Sequence, residues 1–315
     1  MQKEIERFGK ICCKTQDELK SYLHRFLMSN GYKVINEDGF LYAKGTLPYL
    51  VTAHMDTVHK EQCSRYSIHR FQGNHRIQSP YGIGGDDRCG IYMIVRMILD
   101  GYRPTVLFCE DEEIGSVGAS KFTLTKYADE LKELNYFIEL DRANANDAVF
   151  YYCDNKEFKK YIEDNTGYKE ATGTWTDIVE LSDATGIASV NFSCGYYNAH
   201  TTKEYVIFEE MWNTITVVER LMKSASEQFD YMKAVTNERW CYSNYWDSYY
   251  DRLYGYDTEY KKEMVGMEIC WNDTLTGKEE MTFIPGESEA ECMYSFFYSY
   301  PYACWNDVLD YTCDY

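Results

Sequence analysis

The sequence predicts an α/β sandwich built around a largely parallel sheet. Short apolar runs of strand type alternate along the chain with stretches whose apolar residues recur at helical spacing. Several of the strand-type runs also stop on a histidine or an acid. Residues 49–53 lead to His54, 105–109 to Glu110-Asp111-Glu112-Glu113, and 136–140 to Asp141. Ligands of parallel sheets sit beyond the carboxyl ends of the strands. This fold therefore gathers His54, Glu112, Glu113 and Asp141 on one edge.

Each element has its own signal. Residues 15–30 read as the first helix. Thr15 and Glu18 form a capping-box pattern, Leu19, Tyr22, Leu23, Phe26 and Leu27 recur at helical spacing, and Gly31 is a stop. Residues 32–35 and 40–43 read as strands around the Asp38-Gly39 turn. After the apolar strand at 49–53, a polar hairpin covers roughly 66–78. The loop Gly82-Ile83-Gly84-Gly85-Asp86-Asp87 then leads into an apolar helix near 89–99, closed by Gly101. The strand 105–109 follows, rich in β-branched and aromatic residues. Next come a helix near 128–134, strands at 136–140 and 148–152, an amphipathic helix at 156–164 and a buried strand at 188–194. The helix at 208–224 sets Phe208, Met211, Trp212, Ile215, Val218, Leu221 and Met222 roughly on one face. From about Tyr231 the composition turns acidic and dense in tyrosine, with too many aromatics for ordinary disorder. Two parts are expected: residues 1–230, and an extension at 231–315 whose role the residues do not reveal.

Composition narrows the function. The chain has 315 residues, an ordinary 45% of them hydrophobic, and a net charge of −19. So negative a field disfavours nucleic acid and anionic membranes as partners. The 12 cysteines are scattered, and none forms a Cys-x-x-Cys pair. Cys109 and Cys194 lie inside apolar runs and suit reduced, buried thiols, which points to a cytoplasmic compartment. No signal-type segment, transmembrane-length stretch or internal repeat is seen.

The chemistry centres on acids. Four carboxylates at the end of a buried strand repel one another, and a divalent cation is the natural compensation. Of two adjacent glutamates, one can bind metal while the other carries a proton. Di-metal hydrolases need a carboxylate bridging two cations, with imidazole and carboxylate ligands around it. The chain supplies His54, Asp86, Glu113, Asp141 and His200 in order, with Glu112 beside them. Each has an ordinary reading when taken alone. A histidine can be a hydrogen-bonded core residue, Asp86 a turn residue, Asp87 an acid at a helix N-terminus, and Asp141 a loop cap. The order of the whole set is what argues against those readings. His24, His59, His69 and His75 stand in no motif and are assigned to surface or structure.

These motifs resemble the co-catalytic zinc exopeptidase superfamily, which includes single-domain bacterial aminopeptidases, tripeptide aminopeptidases and carboxypeptidase G-like enzymes. The matching segments are Ala53-His54-Met55-Asp56-Thr57-Val58, Gly85-Asp86-Asp87-Arg88-Cys89-Gly90, Asp111-Glu112-Glu113-Ile114-Gly115, Glu139-Leu140-Asp141 and Asn198-Ala199-His200. They span about residues 50–205. The resemblance implies a three-layer α/β/α sandwich around a mixed, largely parallel sheet, the phosphorylase/hydrolase-like fold. It implies two zinc ions, with cobalt or manganese as substitutes. Asp86 would bridge them, His54 and Asp141 would complete one site, and Glu113 and His200 the other. Asp56 would hold the His54 imidazole, and Glu112 would be the general base.

Many relatives insert a lid or dimerisation domain between the positions of Asp141 and His200. Here that interval is barely long enough to complete the sheet, so a bare catalytic domain without a lid is expected. Carboxypeptidase-like members draw a carboxylate-binding residue from the lid, so its absence weakens that branch. Gly173-Thr174-Trp175-Thr176-Asp177 falls where relatives place a substrate-side or loop-positioning acid, although a helix N-cap at Thr176 or Asp177 fits it as well. The expected activity is hydrolysis by an aminopeptidase acting on short peptides. The alternatives are a deacylase of N-acyl amino acids using the same centre, and a binding protein that kept the fold. Oligomeric state stays open.

Overall fold

The structure, a computed structural model, describes residues 1–71, 73–173, 175–224, 226–234, 266–273, 278–285 and 308–314. The chain divides into two compact units, Met1–Thr236 and Asn237–Tyr315.

The first unit opens with helices α1 (Gln2–Cys12) and α2 (Gln16–Ser29). The α2 capping box is formed as expected, with Thr15 Oγ1 accepting from Glu18 N and Thr15 N donating to Glu18 Oε2. Helix α1 was not expected. Its apolar stripe of Ile5, Phe8, Ile11 and Cys12 is buried, but charged residues dilute it and no side chain caps its start. Strands β1 (Val34–Glu37), β2 (Phe40–Ala43) and β3 (Tyr49–His54) follow, then the hairpin β4 (Ser67–Phe71) and β5 (Asn74–Gln78). Helix α3 (Gly85–Leu99) is regular only beyond Asp87, because Asp86 and Asp87 both have non-helical angles. Strand β6 (Thr105–Cys109) leads to α4 (Val117–Thr123), α5 (Ala128–Leu131) and β7 (Tyr136–Arg142). The expected helix at 128–134 is thus a single turn, and α4 lies ahead of it. Strand β8 (Asp147–Val149) ends before Tyr151, whose positive φ of 50° breaks the extended run expected to 152. The unit continues with α6 (Lys156–Thr166), β9 (Lys169–Ala171), α7 (Asp177–Thr185), β10 (Ser189–Ser193), β11 (Tyr196–Tyr197), β12 (Tyr205–Ile207) and α8 (Phe208–Lys223).

Eight strands form the main sheet in the order β1-β2-β6-β3-β7-β10-β8-β9. Strands β6, β3, β7 and β10 run parallel through its centre, while β2 and β8 join antiparallel on either side. The sheet is mixed and largely parallel at its core, as expected. Alternating strand residues feed two cores. Leu41, Val51, Val106, Ile138 and Val190 pack with α1, α3 and α8, while Phe40, Leu50, Leu107 and Phe137 pack with α4, α5 and α7. Helices therefore cover both faces, making the three layers, and burial on both faces explains why the central strands are apolar throughout. A smaller sheet of order β11-β12-β5-β4 forms from the polar hairpin and the segment after β10.

The tail of the first unit stays pinned to it. Asp230 bridges Ile187, and Lys233 bridges Cys153. The second unit contributes a three-stranded antiparallel sheet of β13 (Gly266–Asp273), β14 (Lys278–Pro285) and β15 (Val308–Asp314), with β13 central. The remainder of the tyrosine-rich stretch lies outside the described residues. Among the described residues no helix is long and apolar enough to cross a membrane. Cys12, Cys13, Cys63, Cys89, Cys109, Cys153 and Cys194 are free thiols, and Cys109 and Cys194 are fully buried.

Candidate metal centre

The parallel strands end side by side, and their ends carry the site. His54 is the last residue of β3, and Asp141 lies near the end of β7. Beyond β6, Asp111 takes a left-handed φ of 60°, a conformation seldom adopted by non-glycine residues. That turn splits the acidic run. Glu110 goes to Lys20 Nζ at 2.5 Å and to Gly39 N at 2.9 Å. Asp111 takes Gln16 Nε2 at 3.0 Å. Only Glu112 and Glu113 turn inward. Asn198 and His200, between β11 and β12, are also left-handed (φ 55° and 63°) and bring the His200 imidazole over the strand ends.

Asp86 stands at the middle. Its Oδ1 lies 3.0 Å from His54 Nε2, and its Oδ2 lies 3.1 Å from His200 Nε2. Asp141 Oδ1 is 3.6 Å from His54 Nε2, and Glu113 Oε2 is 3.2 Å from His200 Nε2. Ligand-type atoms of His54, Asp86 and Asp141 all lie within 4.8 Å of one another, as do those of Asp86, Glu113 and His200. The two triads share Asp86. Glu112 stands just outside them, its Oε2 3.9 Å from His54 Nε2. His200 is the most exposed of the group at 27%, so the site meets solvent on that side.

A ring of polar contacts fixes these groups. Asp56 Oδ1 lies 3.1 Å from His54 Nδ1, and the two Asp56 oxygens accept from Glu112 N and Glu113 N at 3.0 Å each. One carboxylate thus orients both the imidazole and the glutamate turn. Buried Arg88 donates to the carbonyls of Met55 and Asp56, holding that segment from below. Asp87 caps the first turn of α3 at Gly90 N (2.9 Å), as its position suggested, and also accepts from His54 N (3.2 Å). Thr176 occupies the N-cap position of α7 but makes no capping bond, and its hydroxyl donates instead to Asp141 Oδ2 at 3.3 Å. Tyr196 OH donates to Asp141 Oδ1 at 3.3 Å, and Asn191 holds the Asp141 backbone at 2.9 Å and 3.2 Å. No local pattern in the sequence marks Tyr196, Asn191 or Glu204, a fully buried acid four residues beyond His200. None stands in an acid- or histidine-rich motif, and each is brought in by the sheet.

The electrostatics call for cations. Burial would disfavour charge on His54, but Asp141 and Asp56 prevail and hold its pKa well above the usual histidine value. Burial opposes charge on His200 too, yet Asp86 and Glu113 push it up to about 11. Burial, followed by the charge of Asp86, raises Asp141 to about 8 and lifts Glu113 as well. Glu112 is raised well above the carboxylate range, first by burial and then by Asp141 and Glu113. Asp86 alone is held far below that range, because His200 and His54 outweigh its burial. Without cations the cluster therefore retains protons. Such protons are what a divalent ion displaces on binding. Glu113 Oε1 is buried with no hydrogen-bond partner, a lone pair free for an ion. Mixed imidazole and carboxylate donors in two triads sharing one acid fit a pair of divalent cations. A neighbouring cleft of about 340 Å³ touches Asp56, His59 and Arg88 but includes no member of either triad, so it lies outside this centre.

Solved structures share this architecture. PepT aminopeptidase from Bacillus cereus ATCC 10987 aligns at 15% identity with a TM-score of 0.57, covering 70% of this chain and 97% of its own. A tripeptidase from Staphylococcus aureus gives 14% identity, the same coverages and a TM-score of 0.57. An aminopeptidase from the archaeon Desulfurococcus kamchatkensis gives 13% identity, coverages of 71% and 96%, and a TM-score of 0.55. The chain shares the fold of these solved structures. No protein-family model and no curated protein matches the sequence, so the likeness is one of fold. Within this fold, the triads stand at the carboxyl ends of the parallel strands, the edge where such sheets bind ligands.

Proposed function

We propose that the chain is a metal-dependent exopeptidase, an aminopeptidase that hydrolyses short peptides with two zinc ions. The carrying observation is the pair of triads that share Asp86, with Glu112 beside them but in neither. His54, Asp86 and Asp141 would hold one ion, and Asp86, Glu113 and His200 the other. Bound there, the ions supply Lewis acidity toward the scissile carbonyl and toward water. The remaining work belongs to the chain. Asp56 keeps the His54 imidazole in one tautomer and aims the Glu112–Glu113 turn. Glu112 takes the proton from the attacking water and returns it to the departing amine nitrogen. Thr176 and Tyr196 keep the Asp141 carboxylate facing the cluster. The shared fold supports peptide hydrolysis, and the free thiols accord with a cytoplasmic setting.

The test compares Glu112→Gln with Glu113→Gln in zinc-loaded protein, reading kcat and bound zinc together. Glu112→Gln should keep its zinc and lose about 100- to 10,000-fold in kcat, the range for a lost general base. Glu113→Gln should lose zinc. A Glu112→Gln enzyme with near-normal kcat on its best peptide sinks the mechanism, and wild-type protein that takes up no metal sinks the whole reading. Acetylating the peptide N-terminus should abolish turnover. Cleavage that survives acetylation points to the N-acyl amino acid deacylase instead.

A further inference from the structure

We propose that Glu204, braced by His59, is the positioning residue for Asp86, so that one buried carboxylate sets the acid shared by both triads. The inference rests on the metal-centre reading above. Glu204 is fully buried and spends both its oxygens on the loop that carries Asp86. Oε1 accepts from Asp86 N at 3.1 Å, and Oε2 accepts from Gly84 N at 2.8 Å. His59 Nε2 donates to the same Oε2 at 2.7 Å. A buried carboxylate is expensive unless hydrogen-bonded, and three donors meet that need here.

Asp86 needs such a hold. It lies between a glycine loop and a helix, with non-helical angles (φ −84°, ψ 104°), so neither a strand ladder nor the helix fixes its backbone. Its two oxygens must still face different imidazoles at 3.0 Å and 3.1 Å, and a small rotation of the backbone would spoil both contacts at once. The loop is also pressed against the clamp. A Cβ at Gly85 would lie 2.8 Å from Tyr196 Cβ, 2.9 Å from Val206 Cγ2 and 3.3 Å from Glu204 Oε1, so only glycine allows this approach. Glu204 N donates to Thr201 O at 3.1 Å, closing the turn just after His200. The turn that delivers His200 to one triad thereby delivers the clamp for the acid common to both.

The test measures zinc affinity by calorimetry and the visible spectrum of the cobalt-loaded full-length protein, with the thermal midpoint of the metal-free protein as a check on folding. Glu204→Gln keeps the shape but sets an amide N–H against one of the two backbone N–H groups. It should weaken zinc binding about 10- to 100-fold, the range for partners behind a metal ligand, and should alter the cobalt spectrum. His59→Leu removes one donor and should move both readings in the same direction by less. His59→Gln retains an N–H at the Nε2 position and should restore both. A folded Glu204→Gln protein with wild-type zinc affinity and cobalt spectrum overturns the inference. If Glu204→Gln does not fold, His59→Leu decides by the same two readings. Wild-type protein that binds neither metal overturns the metal-centre reading itself, whereas variants that match a metal-binding wild type overturn only the role of Glu204.

Discussion

At the scale of single residues, the fold buries acids beyond the triads as well. Asp177 opens α7 and is fully buried. The Cys109 thiol and the Ser116 hydroxyl lie beside it, but neither makes a hydrogen bond of good geometry. Burial raises its pKa to about 6 from an ordinary 3.8. A carboxyl whose folded pKa exceeds its unfolded one binds its proton more tightly when folded. Its stability contribution is present below the unfolded pKa and is lost as pH rises through the folded pKa. The shift corresponds to about 3 kcal/mol. Asp177→Asn should therefore raise the thermal midpoint of chelator-treated protein at about pH 7.5 and change it little near pH 4. Equal effects at the two pH values would remove this account of Asp177.

At the scale of elements, the distance between α3 and β7 matters most, because Asp86 lies in the first turn of α3 and Asp141 near the end of β7. Gly90 sets that distance. A Cβ there would lie 2.1 Å from Leu140 O and 2.6 Å from Asp87 Oδ2. Two effects of Gly90→Ala then oppose each other. Helix propensity favours alanine by roughly 0.5–1 kcal/mol, whereas overpacking costs typically ~1–3 kcal/mol. Since the obstacle includes a strand carbonyl that cannot turn aside, the second effect should win. The urea midpoint should fall, and an unchanged or raised midpoint would mean that helix and strand are not packed this closely.

At the scale of the whole molecule, the candidate metal centre draws both of its triads from the first unit. A protein ending after Thr236 should therefore fold and bind metal as the full chain does. A cut at Asp230 would be less clean, because Tyr231 N donates to Gly186 O at 2.8 Å and Ala234 N to Tyr152 O at 2.8 Å. Metal content and circular dichroism of the 1–236 fragment make the check. A folded fragment without metal would show that the remaining chain contributes to the centre.

Sequence alone determined the elements whose signals are local. The capping box at Thr15 and the apolar runs of β3, β6, β7 and β10 were legible because burial on both faces of a parallel sheet leaves little choice of residue. The candidates His54, Glu112, Glu113 and Asp141 were legible because acids and histidines just past apolar runs are conspicuous, whereas Asp86 and His200 stood out only through the order of the motifs that resemble the zinc exopeptidases. Helices α1 and α4 were not legible, since each is short or charged and owes its stability to the face it buries rather than to its own propensity, and α7 showed only its start, at the N-cap pattern of Thr176 and Asp177. Only the tertiary structure could separate Glu110 and Asp111, bound to Lys20 and Gln16 of α2, from the inward-facing Glu112 and Glu113. It alone brought Glu204, Asn191 and Tyr196 to the backbones and side chains they hold. The physical reason is the same for each of these. A donor and an acceptor that lie far apart in sequence leave no local pattern, and they meet only when the sheet sets their strands and turns side by side.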